Sequence, residues 1–226
     1  MTTTEVLQEL EKLGTEQTRK TYRRHGAGDD VYGVKFGDLG KLKKKIGVDH
    51  EMAQELWATG NYDARNLATM IADPARTTGK MLNAWVKDLT NYSLTDVLAA
   101  FVAATPHARK LAETWMDSGR EWTGRMGWLV LARLSNGDEL PDEYFEPYLE
   151  TIEREIHTRK NRVRDAMNSA LIAIGIRGGA LTEEALAVAA RIGKVEVDHG
   201  DTACRTPEAG PYILKALEHR RKKKSR

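Results

Sequence analysis

Apolar residues return every three or four positions along most of this chain, in short runs broken by glycine, asparagine or proline. That period places them on one face of a helix. Residues 3–13 and 15–25 read as a helix pair split at Gly14, with Thr15 capping the second and Gly26 ending it. A glycine-rich loop, GAGDDVYGVKFGDLG, follows. Asp38 starts a helix that Gly47 closes. Asp49 caps the next, in which Met52, Leu56 and Trp57 share a face. Tyr62 to Ala72 forms a further helix, stopped ahead of Pro74 because the residue before a proline avoids the helical region. Helices are then expected over about residues 77–89, after Ser93 as a cap, and from Pro106 onward.

The clearest pattern is Gly119 to Leu134, GREWTGRMGWLVLARL, in which Met126, Leu129, Val130 and Leu134 fall on one face. Ser118 precedes it as a cap, and Asn136-Gly137 ends it. Pro141 starts the next helix, which Pro147 kinks or splits. Asn161 to Gly175, Thr182 to Ile192 with Thr182-x-x-Glu as a capping pattern, and roughly Pro207 to Arg220 complete the series. The VEV in KVEVDHGDTACRTPEAG is the only strand-like hint, and it is too short to make a sheet. The fold class is therefore all-α. Helix pairs of about 35–45 residues suggest a HEAT-like helical repeat solenoid, a curved α-α superhelix, with an irregular helical bundle as the alternative. The reading is one repeat domain over residues 1–218 and a frayed basic tail, HRRKKKSR, over 219–226.

Composition narrows the class. The chain has 226 residues, 41% apolar and 30% charged, enough for a sizeable core. No apolar run reaches the ~18 residues of a membrane span, and the amphipathic start MTTTEVLQELEKL is not a signal peptide. A single cysteine, Cys204, excludes an internal disulfide and fits the cytoplasm. The net charge is only +2, but it is unevenly spread: Lys41 to Lys45 and the C-terminal block are basic, and acidic residues gather from Asp138 to Glu155.

Three helices carry an arginine among small and apolar residues: Arg65 in YDARNLATM, Arg125 in GRMG and Arg164 in NRVRDAMNSAL. A planar guanidinium fork suits phosphate, and equally suits an ion pair between neighbouring helices. Tyr92 and Asp96 stand four apart near a helix start, where they can face one cleft. An acidic residue there is also favoured simply by the helix dipole. Of the five tryptophans, Trp122 lies one turn before Arg125 and can stand beside it in a groove; most tryptophans on helical faces pack the core. Asp198, His199, Asp201 and Cys204 share a loop but lack the paired spacing of a zinc site, so no metal is expected, and nothing orients a cysteine–histidine nucleophile. The chain has no G-x-S-x-G, no H-E-x-x-H and no glycine-rich phosphate loop, which removes most hydrolase and nucleotide-enzyme readings; no cofactor is expected.

The stretches DVYGVKFGDLGKL, ELWATGNYDARNLATMIADP, WVKDLTNYSLTD, EWTGRMGWLVLARL and GKVEVDHGDTACRTPEAGPYI together resemble the AlkD-like DNA alkylation repair family, over roughly residues 20–215. The resemblance implies a HEAT-like solenoid that holds duplex DNA, alkylated or not, on a basic concave face; a solenoid of this size is expected to be a monomer. It also implies an alkylpurine DNA glycosylase acting on N3- or N7-alkylated purines. Such a base is cationic and leaves without a general acid, so the site has only to stabilise an oxocarbenium-like sugar and place a water. The family is understood to act without drawing the lesion into a deep pocket. By the resemblance Asp96 matches the catalytic carboxylate, Tyr92 the aromatic four residues before it (with tyrosine in place of tryptophan), and Arg125 the DNA-backbone arginine. Arg65 and Arg164 then revert towards inter-repeat contacts, and Trp122 is positioned to supply aromatic wall. The second tryptophan expected within Asn161 to Gly175 is absent, and Ser169 stands in its place. A non-catalytic DNA-binding member of the same family and a helical scaffold for another protein are the alternative readings.

Overall fold

The computed structural model describes residues 1–224, and among these every regular element is helical. Thirteen α-helices run in order: α1 (Thr3–Leu13), α2 (Glu16–Arg24), α3 (Phe36–Ile46), α4 (His50–Ala58), α5 (Tyr62–Ile71), α6 (Gly79–Trp85), α7 (Tyr92–Ala103), α8 (Ala108–Met116), α9 (Glu121–Leu134), α10 (Glu146–Glu155), α11 (Asn161–Gly175), α12 (Gly179–Ile192) and α13 (Ala209–Lys224). They form two compact units, one spanning Met1–Ala108 and a second that starts at Arg109. No helix among the described residues is long and apolar enough to cross a membrane.

In the first unit α5 is the central rod. It packs on α3, α4 and α7, and it buries Tyr62, Asp63, Ala64, Asn66, Leu67, Ala68, Thr69 and Ile71. A helix buried on most of its circumference needs apolar or satisfied residues all round, and Asp63 is the exception that explains the loop before it. Its carboxylate accepts the backbone N–H groups of Tyr32 (2.7 Å), Gly33 (3.0 Å) and Val34 (2.9 Å). Burial pushes the Asp63 carboxyl up from its ordinary value, and the three donors pull the other way. Gly33 sits at φ 81° with a Cβ position only 2.6 Å from the Arg19 nitrogen, so only glycine closes the loop there. The glycine-rich segment is thus a clasp on α5. Side chains of the caps themselves start most helices of this unit: Thr2, Thr15, Asp49, Asn61, Thr78 and Asn91 each accept a first-turn amide.

The second unit is built on α11, which packs on α9, α10, α12 and α13. Here the caps are supplied across the fold. The N-cap of α11, Lys160, contributes no side-chain bond, and the amide of Arg162 donates instead to Glu121 of α9 at 2.7 Å. Next along the same seam, Arg125 donates from Nη1 to Asp165 at 2.5 Å and to the Arg162 carbonyl at 3.1 Å, its side chain only 4% exposed. The flanking glycines of GRMG seat α9 against its two neighbours, Gly127 against α8 and Gly124 against α11. A Cβ on Gly127 would lie 2.4 Å from the Met116 nitrogen and 2.8 Å from the Trp115 carbonyl carbon. A Cβ on Gly124 would meet the Val163 side chain at 3.2 Å. Tyr144, in the 3-10 turn before α10, donates to Glu113 of α8 at 3.0 Å beneath the Arg109 guanidinium.

Several boundaries depart from the sequence expectation. Asn91, not Ser93, caps α7, so Tyr92 is already helical. α9 begins at Glu121 with Arg120 as its uncapped N-cap; Ser118 instead accepts the Arg120 amide. Thr182 lies within α12, and its hydroxyl bonds the Gly175 carbonyl at 2.6 Å, closing α11 rather than opening α12. α3 starts at Phe36, ahead of Asp38. Pro147 sits in the first turn of α10, where its missing N–H costs nothing. The basic block is not frayed over its described length: α13 carries it as helix to Lys224, and residues 225–226 lie outside the described residues.

Two expectations follow. Gly127→Ala forces backbone against backbone and lowers unfolding stability by about 1–3 kcal/mol or more, whereas Gly40→Ala, whose Cβ meets nothing within 4 Å, raises it by about 0.5–1 kcal/mol; urea melts of the two variants read the contrast. Arg125→Ala strands Asp165 and costs about 3–5 kcal/mol. An unchanged melting midpoint in Arg125→Ala would mean that the pair does not hold the seam.

Candidate functional site

Tyr92 and Asp96 occupy the first two turns of α7, one helical turn apart and both half-buried. Asn91 fixes that turn by accepting the Leu94 amide at 2.9 Å. The Tyr92 hydroxyl shares a hydrogen bond with Nδ1 of His25, the C-cap of α2, and the two rings meet edge-on at 5.8 Å. Ser93 shares a hydrogen bond of 2.8 Å with the hydroxyl of Tyr62, the first residue of α5. The Tyr62 ring lies 5.1 Å from that of Tyr22, and Tyr22 in turn meets Phe36 edge-on at 6.2 Å. Tyr22 donates to the Val34 carbonyl at 2.8 Å, within the segment that Asp63 clasps. A graded aromatic series results: Phe36 is 41% exposed, Tyr22 is half-buried and Tyr62 is buried.

The electrostatics keep these hydroxyls protonated. Burial, helped by Tyr62 and Asp63, pushes Tyr22 up to about 12. Burial also raises Tyr62, against its bonds to Ser93 and Asn66, and the charge of Asp96 adds to the rise. Asp96 is therefore near enough to this cluster for its carboxylate to be felt there. The start of α7 thus carries Tyr92 tied to His25 and Ser93 tied to the protonated Tyr62 hydroxyl, with Asp96 one turn further along. The sequence singled out Tyr92 and Asp96 but not Tyr22, His25, Phe36 and Tyr62, which the structure clusters around the first turn of α7 and the start of α5. The three-residue spacing of Tyr22 and His25 on one side of α2 was the available signal.

The other predicted residues are placed differently. Arg65, a candidate for DNA contact, is an inter-helix residue: it donates to the Trp57 carbonyl at 3.2 Å, pairs with Asp88 at 3.4 Å and lies over the Trp57 ring at 5.2 Å. Arg125 belongs to the α9–α11 seam. Its buried guanidinium is committed to Asp165 and the Arg162 carbonyl, which is the inter-helix ion pair weighed for it and not the phosphate clamp. Arg164, one turn into α11, is half-buried, and its Nε is enclosed without a hydrogen-bond partner. Trp122 is half-buried in the first turn of α9, while Trp57, Trp85, Trp115 and Trp128 are core residues. Ser169 turns its hydroxyl back onto the Asp165 carbonyl at 3.0 Å. In the loop after α12 both His199 nitrogens are engaged, one with Arg162 and one with Thr206, and Asn161 brackets Asp198 with two bonds of 2.7 Å. That loop fastens the last helices, and its histidine is committed to packing.

Known proteins give this arrangement its context. The family described as "DNA alkylation repair enzyme" matches residues 6–212. The uncharacterised proteins Lmo0209 of Listeria monocytogenes and Lin0241 of Listeria innocua are each 35% identical over 214 residues, covering 92% of this chain and 94% of the relative. A solved structure described as "a new family of proteins related to the HEAT-like repeat DNA glycosylases with affinity for branched DNA structures" superposes with a TM-score of 0.90 at 33% identity, over 98% of this chain and 96% of that one. The helical architecture is thus that of the HEAT-like repeat proteins, and the chain belongs to the DNA alkylation repair enzyme family.

Proposed function

We propose that the protein binds duplex DNA and favours its branched forms, acting in DNA repair by recognition rather than by base excision. One observation carries the reading: the excision machinery that the family resemblance implies is half dismantled. Tyr92 and Asp96 are retained on α7. The second tryptophan is replaced by Ser169, whose hydroxyl is spent on its own helix, and Arg125 is buried on Asp165. An alkylpurine held on one aromatic wall only is poorly positioned for a reaction that depends on placement and charge. The affinity for branched DNA described for the structural relative supports the same choice.

Excision is the second reading, and the Tyr92–Asp96 pair favours it. In that reaction the bond from the sugar C1′ to the alkylated purine breaks, and its electron pair neutralises the cationic base. Asp96 stabilises the electron-poor sugar, and a water adds to C1′ as its proton passes to the carboxylate or to solvent.

Gel-shift titrations of a four-way junction and a linear duplex of the same sequence, in rising salt, test the first reading. The expected result is tighter binding to the junction, with both affinities falling as salt rises; equal affinity for the two substrates sinks it. Release of 7-methylguanine from methylated duplex, wild type against Asp96→Asn, decides the second. A wild-type rate that falls by about 10²–10³-fold in the variant establishes excision, and equal trace release from both removes it.

A further inference from the structure

The C-terminal helix carries a surface that neither reading uses. α13 is firmly seated on the second unit. Ile213 is fully buried, and Gly175 of α11 makes room for it: a Cβ there would come within 2.6 Å of Ile213 Cδ1. Arg220 then donates to the Ile176 carbonyl at 2.6 Å, tying the last turns of α13 to the negative end of α11. The seated face fixes what the other side presents. Tyr212, Lys215, His219 and Lys223 recur at spacings of three and four and are all exposed, so they form one stripe. Successive members are about 4.5–6 Å apart along the axis. From Gly210 to Lys223 the only acidic residue is Glu218, which pairs with Lys222 at 2.5 Å.

Tyr212 is 50% exposed at the head of this stripe. It borders a shallow depression of about 430 Å³ lined by Ile176, Lys215, Ala216, His219 and Arg220. An aromatic ring and apolar side chains among basic ones match the chemistry of a nucleic-acid strand. The cations face phosphates, and the ring offers its surface to a base that has left its stack. An anionic membrane would meet the same charge, but it would not need a walled depression with a single tyrosine at its edge.

We propose that this side of α13 is a nucleic-acid-binding surface: Lys215, His219 and Lys223 follow a phosphate backbone, and the depression beside Tyr212 receives an unstacked base of the kind that occurs at a branch point or strand end. The proposal rests on the DNA-binding reading above and assigns that binding a contact surface.

The test uses the full chain and two variants, Lys215→Gln/His219→Gln/Lys223→Gln and Tyr212→Ser. All four side chains are solvent-exposed, so melting curves of the variants should overlay the wild type. Fluorescence anisotropy is recorded with a four-way junction, a linear duplex and vesicles of phosphatidylglycerol and phosphatidylcholine, across a salt series. The triple variant should lose about tenfold or more in affinity for both DNAs, and the slope of log affinity against log salt should shrink by about two. Tyr212→Ser should weaken junction binding severalfold, with the linear duplex and the salt slopes unchanged. If the wild type binds DNA and both variants match it in affinity and slope, the surface is not used, although DNA binding stands. If the wild type binds neither DNA, this proposal and the reading beneath it both fall. Vesicle binding that the triple variant loses while its DNA affinity is unchanged overturns the proposal in favour of a membrane surface.

Discussion

The Arg125–Asp165 pair is the interaction on which the second unit depends. A guanidinium withdrawn from water needs a compensating charge, because an unpaired buried charge costs several kcal/mol. α9 supplies it by approaching α11 closely enough for one guanidinium nitrogen to reach both Asp165 and the Arg162 carbonyl. Gly124 eases that approach, since a methyl group there would press on Val163, and Gly127 lets α9 lie on α8, where a methyl group would meet the backbone. Glu121 completes the seam by capping the first turn of α11, a helix whose own N-cap contributes no side-chain bond. The GRMG motif is therefore a unit. Its glycines seat α9 against α11 and α8, and its arginine secures the α11 side.

Asp63 plays the corresponding part in the first unit, with backbone amides in place of a cation. By gathering the N–H groups of Tyr32, Gly33 and Val34, it holds the segment that receives the Tyr22 hydroxyl and leads into Phe36. That sets the aromatic series against α5, and through Tyr62 and Ser93 against the first turn of α7. His25 adds a second tie at Tyr92. The first turn of α7, which leads into Asp96, is thus positioned by a chain of contacts that begins with a different, buried carboxylate.

Charge follows the same logic of commitment. Arginines engaged in packing, as Arg65 and Arg125 are, are unavailable to a ligand whatever their number suggests. The cations that stay in solvent, along α13, are able to exchange counterions for phosphates. A net charge of +2 conceals that division, because the sum over the whole chain does not tell an arginine buried in packing from a lysine left in solvent.

The sequence by itself determined the helical period, and with it the all-helical class and most helix positions in the first unit, where caps such as Thr15, Asp49 and Asn61 act on their own first turns. Local hydrogen bonds can be read from local spacing. It also singled out Tyr92 and Asp96, which are neighbours on one helix and need no fold to bring them together. Only the tertiary structure decided the meaning of Arg125, since a phosphate clamp and an inter-helix pair have the same local pattern and differ only in what lies 40 residues away. It alone brought Tyr22, His25 and Tyr62 to α7, gave Ser169 and Thr182 their partners, and turned the basic end into a seated helix. Each of these depends on contacts between segments distant along the chain, where burial and the need to satisfy every buried polar group select one arrangement among many that the local pattern allows.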